Sequence, residues 1–315
     1  MKKHVFFHQL LILIISVAMI FGLTSCAQRK PIPIPSKSGQ NEQSKPPKEL
    51  DELNKAVEKM ETTLFEMHER SKKPLFIQQS EIQKQSGQSQ QNQQSKSSSG
   101  SSGSSEQQPS QIELVSPQEK LLETKYEIQQ MQLQVERANM EQFEQLKKDV
   151  LKLHSMWNAF EAKAMNQLLI QSSLLDFETA LNDLTKSIES NNVYQSLMDV
   201  IQLYKYLPDF YMAYAFESPP EIGKIRYGAK KIVLLTEKNK YPEAKETLDY
   251  ITGVWMLTRP RLSKDSLDLI NKFEFSISDL KDAIDAKNPM VVKAKTEVMI
   301  KVADEIEKES KKQAK

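Results

Sequence analysis

The chain has 315 residues, and its 43 Lys and Arg nearly balance its 42 Asp and Glu. A formal charge of +1 excludes a broad electrostatic nucleic-acid binder. Eight scattered glycines exclude a phosphate-binding loop, and one Cys with four His excludes a disulfide scaffold, a zinc ribbon and a redox CxxC pair.

Lys2 and Lys3 precede an apolar run from Val5 to Gly22, and Leu23-Thr24-Ser25-Cys26 follows directly. A short basic start, an apolar stretch and small residues before a cysteine read as a secretion signal over residues 1–25. The segment resembles the lipobox of bacterial lipoproteins. That resemblance implies cleavage before Cys26 and acylation of its thiol, so Cys26 is the candidate lipidation site. The alternative is an uncleaved membrane helix with an incidental cysteine. Residues 26–46 read as a tether, because Pro31, Pro33 and Pro35 enforce extended backbone and the Ser/Gln/Lys stretch after them has nothing to bury.

Residues 47–72 predict an isolated amphipathic helix, which is marginal in water at this length and should dock on the main domain, pair with a partner helix or fray. Leu50, Leu53, Val57, Met60, Leu64 and Met67 form one heptad seam with charged flanks. Residues 73–116 read as a linker. Within it, 78–111 is a Gln/Ser/Gly tract whose composition cannot offset its ordering entropy, and it is expected to be disordered.

From Ser116 onward the pattern is helical to the end, so 117–315 is read as a helical bundle domain. Leu146, Val150, Leu153, Trp157, Phe160 and Ala164 form one seam, and Leu174, Phe177, Leu181, Leu184 and Ile188 form another. Between them the phase drifts around 168–173, which fits either a long curved helix or two helices. Residues 117–140 are glutamine-rich and read as a projecting stalk. Asn191-Asn192 marks a turn. A seam from Leu197 through Tyr204, Leu207, Tyr211 and Tyr214 runs across Pro208 and predicts a kinked helix. Ser218-Pro219-Pro220-Glu221 reads as a capping box. Three further helices carry Ile222 to Leu235, Ala244 to Trp255 and Leu267 to Ile284. A last one carries Val291, Ala294, Val298, Val302 and Ile306. The expected architecture is all-α: an up-and-down antiparallel bundle of five to seven long helices, preceded by a disordered tether. Trp157, Trp255 and the Tyr204–Tyr214 segment also resemble uncharacterised all-helical extracytoplasmic domains of lipoproteins.

No constellation carries chemistry. His154 has no second His or Cys within residues 117–315 to join it, no Glu-x-x-His motif exists for a di-iron bundle, and no GxSxG is present. Asp176/Glu178 and Asp282/Asp285 read as solvated acid pairs. No catalytic residue, metal ligand or cofactor is expected. Charge is segregated: residues 176–221 hold eight acids and two bases, and 224–240 hold six bases and one acid. Either these segments attract one another as neighbours, or the second is a basic face for an anionic polymer or lipid headgroup. Tyr206 and Phe210 fall off the predicted seam. With Phe216, Lys224 and Arg226 they form a candidate contact for a protein partner; the alternative is that these rings are core, with another helix such as 47–72 docked over them.

The expected function is that of a membrane-anchored extracytoplasmic lipoprotein, facing outside the cytoplasm. It is a non-enzymatic binding or structural module at the cell envelope, with a protein partner there and no nucleic acid. The alternative is a ligand or cofactor carrier with a pocket inside the bundle.

Overall fold

The computed structural model describes residues 45–91, 117–165, 171–214 and 216–313, all within the compact unit Gln43–Lys315. The signal segment, Cys26, the tether up to residue 44 and the Gln/Ser tract from 92 to 116 lie outside the described residues. Among the described residues there is no strand. Nine α-helices follow in order: α1 Lys48–Gln91, α2 Pro117–Ala164, α3 Gln171–Glu189, α4 Val193–Leu203, α5 Leu207–Tyr211, α6 Glu221–Glu237, α7 Tyr241–Thr258, α8 Leu267–Asp285 and α9 Pro289–Gln313.

The heptad seam of α1 is buried at every position from Leu50 to Met67. It packs on α2 and α4. Glu49 meets Lys163 at 2.6 Å, Arg70 meets Gln142 at 3.3 Å, and Asn139 donates to Ser71 at 3.0 Å, so α1 and α2 run antiparallel. Of the outcomes expected for this helix, docking on the main domain is the one observed, and the expected end at residue 72 is corrected. A solitary apolar seam is marginal in water, and docking removes it from solvent. The helix also continues through Pro74 to Gln91, taking in the first part of the expected linker. The antiparallel register sets residues 70–71 of α1 opposite 139–142 of α2.

Two helices, α2 and α3, replace the single curved helix that residues 117–189 could have made. Asn191 has a φ of 53°, which an Asn tolerates, and Asn192 caps α4 by accepting from the Gln195 N–H at 3.0 Å. The kinked helix expected around Pro208 is corrected as well. α4 ends at Leu203 and α5 begins afresh at Leu207, with Pro208 in its first turn, where no backbone donor is needed. α6 starts at Glu221 with Pro220 at the N-cap and no side-chain cap, so Ser218 does not form the expected capping box.

Two apolar clusters share this unit. The first gathers α1 to α5 around Trp157, Phe160, Phe177 and Phe210. The second gathers α6 to α9 around Trp255, Phe273 and Ile284. Helix α6 joins them: Tyr227 and Leu234 face the first cluster, while Ile225, Ala229 and Ile232 face the second. α6 crosses α7 closely at Gly228, where an added Cβ would lie 2.6 Å from Ile251 Cγ1. The seam of α9 is shifted from expectation. Val302 and Ile306 are buried as expected, but Val291, Ala294 and Val298 face outward, and Val292, Thr296, Met299 and Ala303 are buried instead. Leu267, expected on the α8 seam, is 55% exposed.

Candidate functional site

The five residues expected to form a partner contact do not share one surface. Phe210 is fully buried, with its ring centroid 5.6 Å from Trp157, 5.2 Å from Phe160 and 5.5 Å from Phe177. It is a core residue, and its assignment to a contact surface is corrected. The cause is the break before α5. Pro208 starts a new helix, which resets the phase and turns Phe210 inward. Phe216 is 43% exposed and lines an open depression with Pro219, Arg261, Leu262 and Ser310. Lys224 pairs with Asp209 across the α5–α6 turn. Arg226 pairs with Asp304 and Glu307 on α9. These two cations are therefore internal fasteners of the bundle rather than a face open to a partner.

Of the segregated charges, Lys224 meets an acid of residues 176–221 as expected of neighbours, whereas Arg226 and Lys230 meet acids outside that segment. Lys230 reaches Glu61 on α1 at 2.6 Å, so Lys224, Arg226 and Lys230 all end on carboxylates of neighbouring helices. Lys231 and Lys238 instead lie over the rings of Tyr227 and Tyr194, 5.5 and 4.8 Å from their centroids.

Tyr206 remains half-buried at the α4–α5 turn, within a polar cluster that sequence reasoning missed. Gln202 on α4 bridges two phenols. Its amide nitrogen donates to the Tyr206 hydroxyl at 3.3 Å, and its amide oxygen accepts from the Tyr227 hydroxyl at 2.9 Å. The Lys231 ammonium donates to the same Tyr227 oxygen at 3.1 Å. Lys205 lies 5.3 Å from the Tyr206 ring centroid. Burial pushes the Tyr227 phenol up, partly countered by Lys205, and burial pulls the Lys231 ammonium below the ordinary lysine range. Residues 202–206 and 227–231 are joined here only because α4 packs on α6. No spacing within one helix signals that meeting.

A second cluster forms where α1 docks. His68 Nε2 lies 2.7 Å from a Glu237 carboxylate oxygen, and Lys72 bridges Glu69 at 2.6 Å and Glu237 at 2.5 Å. Lys293 adds a contact to Glu69 at 3.3 Å. His68, Glu69 and Glu237 bring potential metal ligands within 4.8 Å of one another. The Lys72 ammonium stands between the two carboxylates, where an ion bound by both would have to sit, so the cluster already carries its own cation. Burial alone would raise the Glu237 carboxyl, but bonds from His68 and Lys72 hold it below the usual glutamate range. His154 lies elsewhere, 2.9 Å from Thr185 Oγ1 on α3.

Comparison with family models, with curated proteins and with solved structures finds no match to this chain.

Proposed function

We propose that the chain is a lipid-anchored extracytoplasmic protein whose helical unit binds or holds a partner at the cell envelope without catalysing a reaction. The observation that carries this reading is Leu23-Thr24-Ser25-Cys26 behind an apolar run, with the chain's only cysteine at the position lipidation needs. Two or three acyl chains, at about 0.8 kcal/mol per buried CH₂, anchor durably where one would not. Among the described residues no helix is long and apolar enough to cross a membrane. The interior favours work at the surface over carriage of a ligand within: the places a pocket would occupy are filled by Trp157 stacked 4.4 Å from Phe177, and by Trp255 4.2 Å from Phe273. The test replaces Cys26 by Ser in cells fed a labelled fatty acid. The expected outcome is loss of label and release from the membrane fraction. Unchanged labelling and fractionation refute the reading.

A further inference from the structure

We infer that the cluster of Lys205, Tyr206, Tyr227 and Lys231 binds an oxyanion, a carboxylate or phosphate group carried by the partner. The argument is an inventory of donors and acceptors. The Tyr227 hydroxyl has spent its proton on Gln202 and accepts from Lys231. Gln202 spends its oxygen on Tyr227 and one amide hydrogen on Tyr206. Three groups keep donors with no acceptor among the described residues. The Tyr206 hydroxyl accepts from Gln202 and has its own proton to give. Lys231 uses one ammonium hydrogen of three, and Lys205 uses none.

Charge points the same way. Lys205 and Lys231 pair with no carboxylate among the described residues, in contrast to Lys224, Arg226 and Lys230 beside them. Asp209, whose charge reaches Tyr250 beside the cluster, is already held by Lys224 and by the Ser173 hydroxyl at 3.1 Å. Two half-buried ammonium groups and a phenol with its own proton still to give thus flank the Gln202–Tyr227 hydrogen bond. Burial of Lys231 without a counterion costs free energy that an incoming anion would restore. Tyr250, edge-on to Tyr227 at 5.9 Å, packs the deep side of the cluster and fixes the Tyr227 ring. The ligand is therefore recognised as charge against two lysines and as acceptor against the Tyr206 hydroxyl, a pairing that suits an acidic group and disfavours a neutral or cationic one.

The inference rests on the binding-module reading. It is tested on the full chain in detergent, whatever its anchoring, so a failure of lipidation and a failure of binding are read separately. The probes are inorganic phosphate and acetate, titrated at constant ionic strength against chain labelled with ¹³C in its tyrosine rings. Saturable shifts of the Tyr206 and Tyr227 signals are expected. The stronger of the two probes identifies a phosphate-bearing or a carboxylate-bearing partner. Lys231→Gln and Lys205→Gln should each weaken binding by about tenfold, the weight of one charge-assisted hydrogen bond. Lys231→Arg should retain binding, and Lys240→Gln, which removes the same charge from an exposed position, should leave it unchanged. Melting curves check that each variant stays folded, and Lys205, on a different element from Lys231, carries the test if either variant fails. A drift that never saturates and is equal in all proteins, or wild-type affinity in both glutamine variants, overturns the inference.

Discussion

Trp157 concentrates the energetics of the first cluster. Its ring is 1% exposed and touches Phe160, Phe177 and Phe210, yet its indole N–H has no acceptor among the described residues. Two costs therefore act in opposite directions there. Trp157→Ala should lower stability by about 3–5 kcal/mol, because it leaves a large cavity. Trp157→Phe should cost much less, because it keeps a ring on Phe177 while removing an unsatisfied donor worth about 1–3 kcal/mol. Denaturant unfolding midpoints of the two variants test the ordering. Equal losses would mean that the indole N–H finds a partner. Phe210→Ala should likewise cost several kcal/mol, as a residue of the same cluster. The burial of Trp157 and Trp255 is legible in the sequence, because each sits on an unbroken 3/4-spaced seam. The burial of Phe210 is not. Extending the seam of α4 through Pro208 puts it outside, and only the reset at Leu207 brings it in.

At the scale of the element, glycine separates packing from propensity. Gly228 and Gly253 both lie inside helices, and each would gain helix propensity of about 0.5–1 kcal/mol on change to Ala. A Cβ at Gly228 collides with the buried, β-branched Ile251, whereas a Cβ at Gly253 meets nothing within 4 Å. Gly253→Ala should thus raise the melting temperature. Gly228→Ala should lower it, since overpacking costs about 1–3 kcal/mol and outweighs the propensity gain. A stabilised Gly228→Ala chain would show that α6 and α7 can move apart freely. Helix existence and most faces are readable from periodicity, as α6 and α7 illustrate. Where two phases compete, periodicity fails. In α9 the adjacent Val291 and Val292 open two seams, and the more uniformly apolar one points outward at Val291, Ala294 and Val298, turning inward only at Val302 and Ile306. The buried line includes Thr296, which hydrophobic pattern alone would reject. Helix partners are not readable at all. The seam of α1 declares that something covers it, not that α2 and α4 do.

For the whole molecule, the question is what holds α1 on the bundle at acidic pH. Its apolar seam has no titrating group, so any acid dependence of docking comes from the polar contacts at its edge. Those facing Glu237 are His68, Glu69 and Lys72 from α1, with Lys293 from α9 reaching Glu69 and Lys238 beside them over Tyr194. The Glu237 and Glu69 carboxyls are both held below the ordinary value of 4.5, despite the burial that would raise them. A depressed folded-state value means the charged form is favoured by folding. Its stabilising contribution is fully present above 4.5 and fades as pH falls through the lower folded-state values. Below that point Lys72 faces protonated partners and the edge of the interface loosens, while the Leu50–Met67 seam remains. Hydrogen exchange of α1 amides should accordingly be flat above the glutamate range and quicken on acidification. Glu237→Gln should raise exchange at neutral pH and flatten the acid limb in the part of α1 around His68, while the end of α1 at Glu49, held low by Lys163, keeps its own. Glu307→Gln provides the comparison: that carboxyl is also held low, through Arg226 and Lys311, but it fastens α9 to α6. It should flatten the acid response of α9 and leave that of α1 steep. An acid limb in α1 untouched by Glu237→Gln would show that the docking of this helix does not depend on the cluster at Glu237.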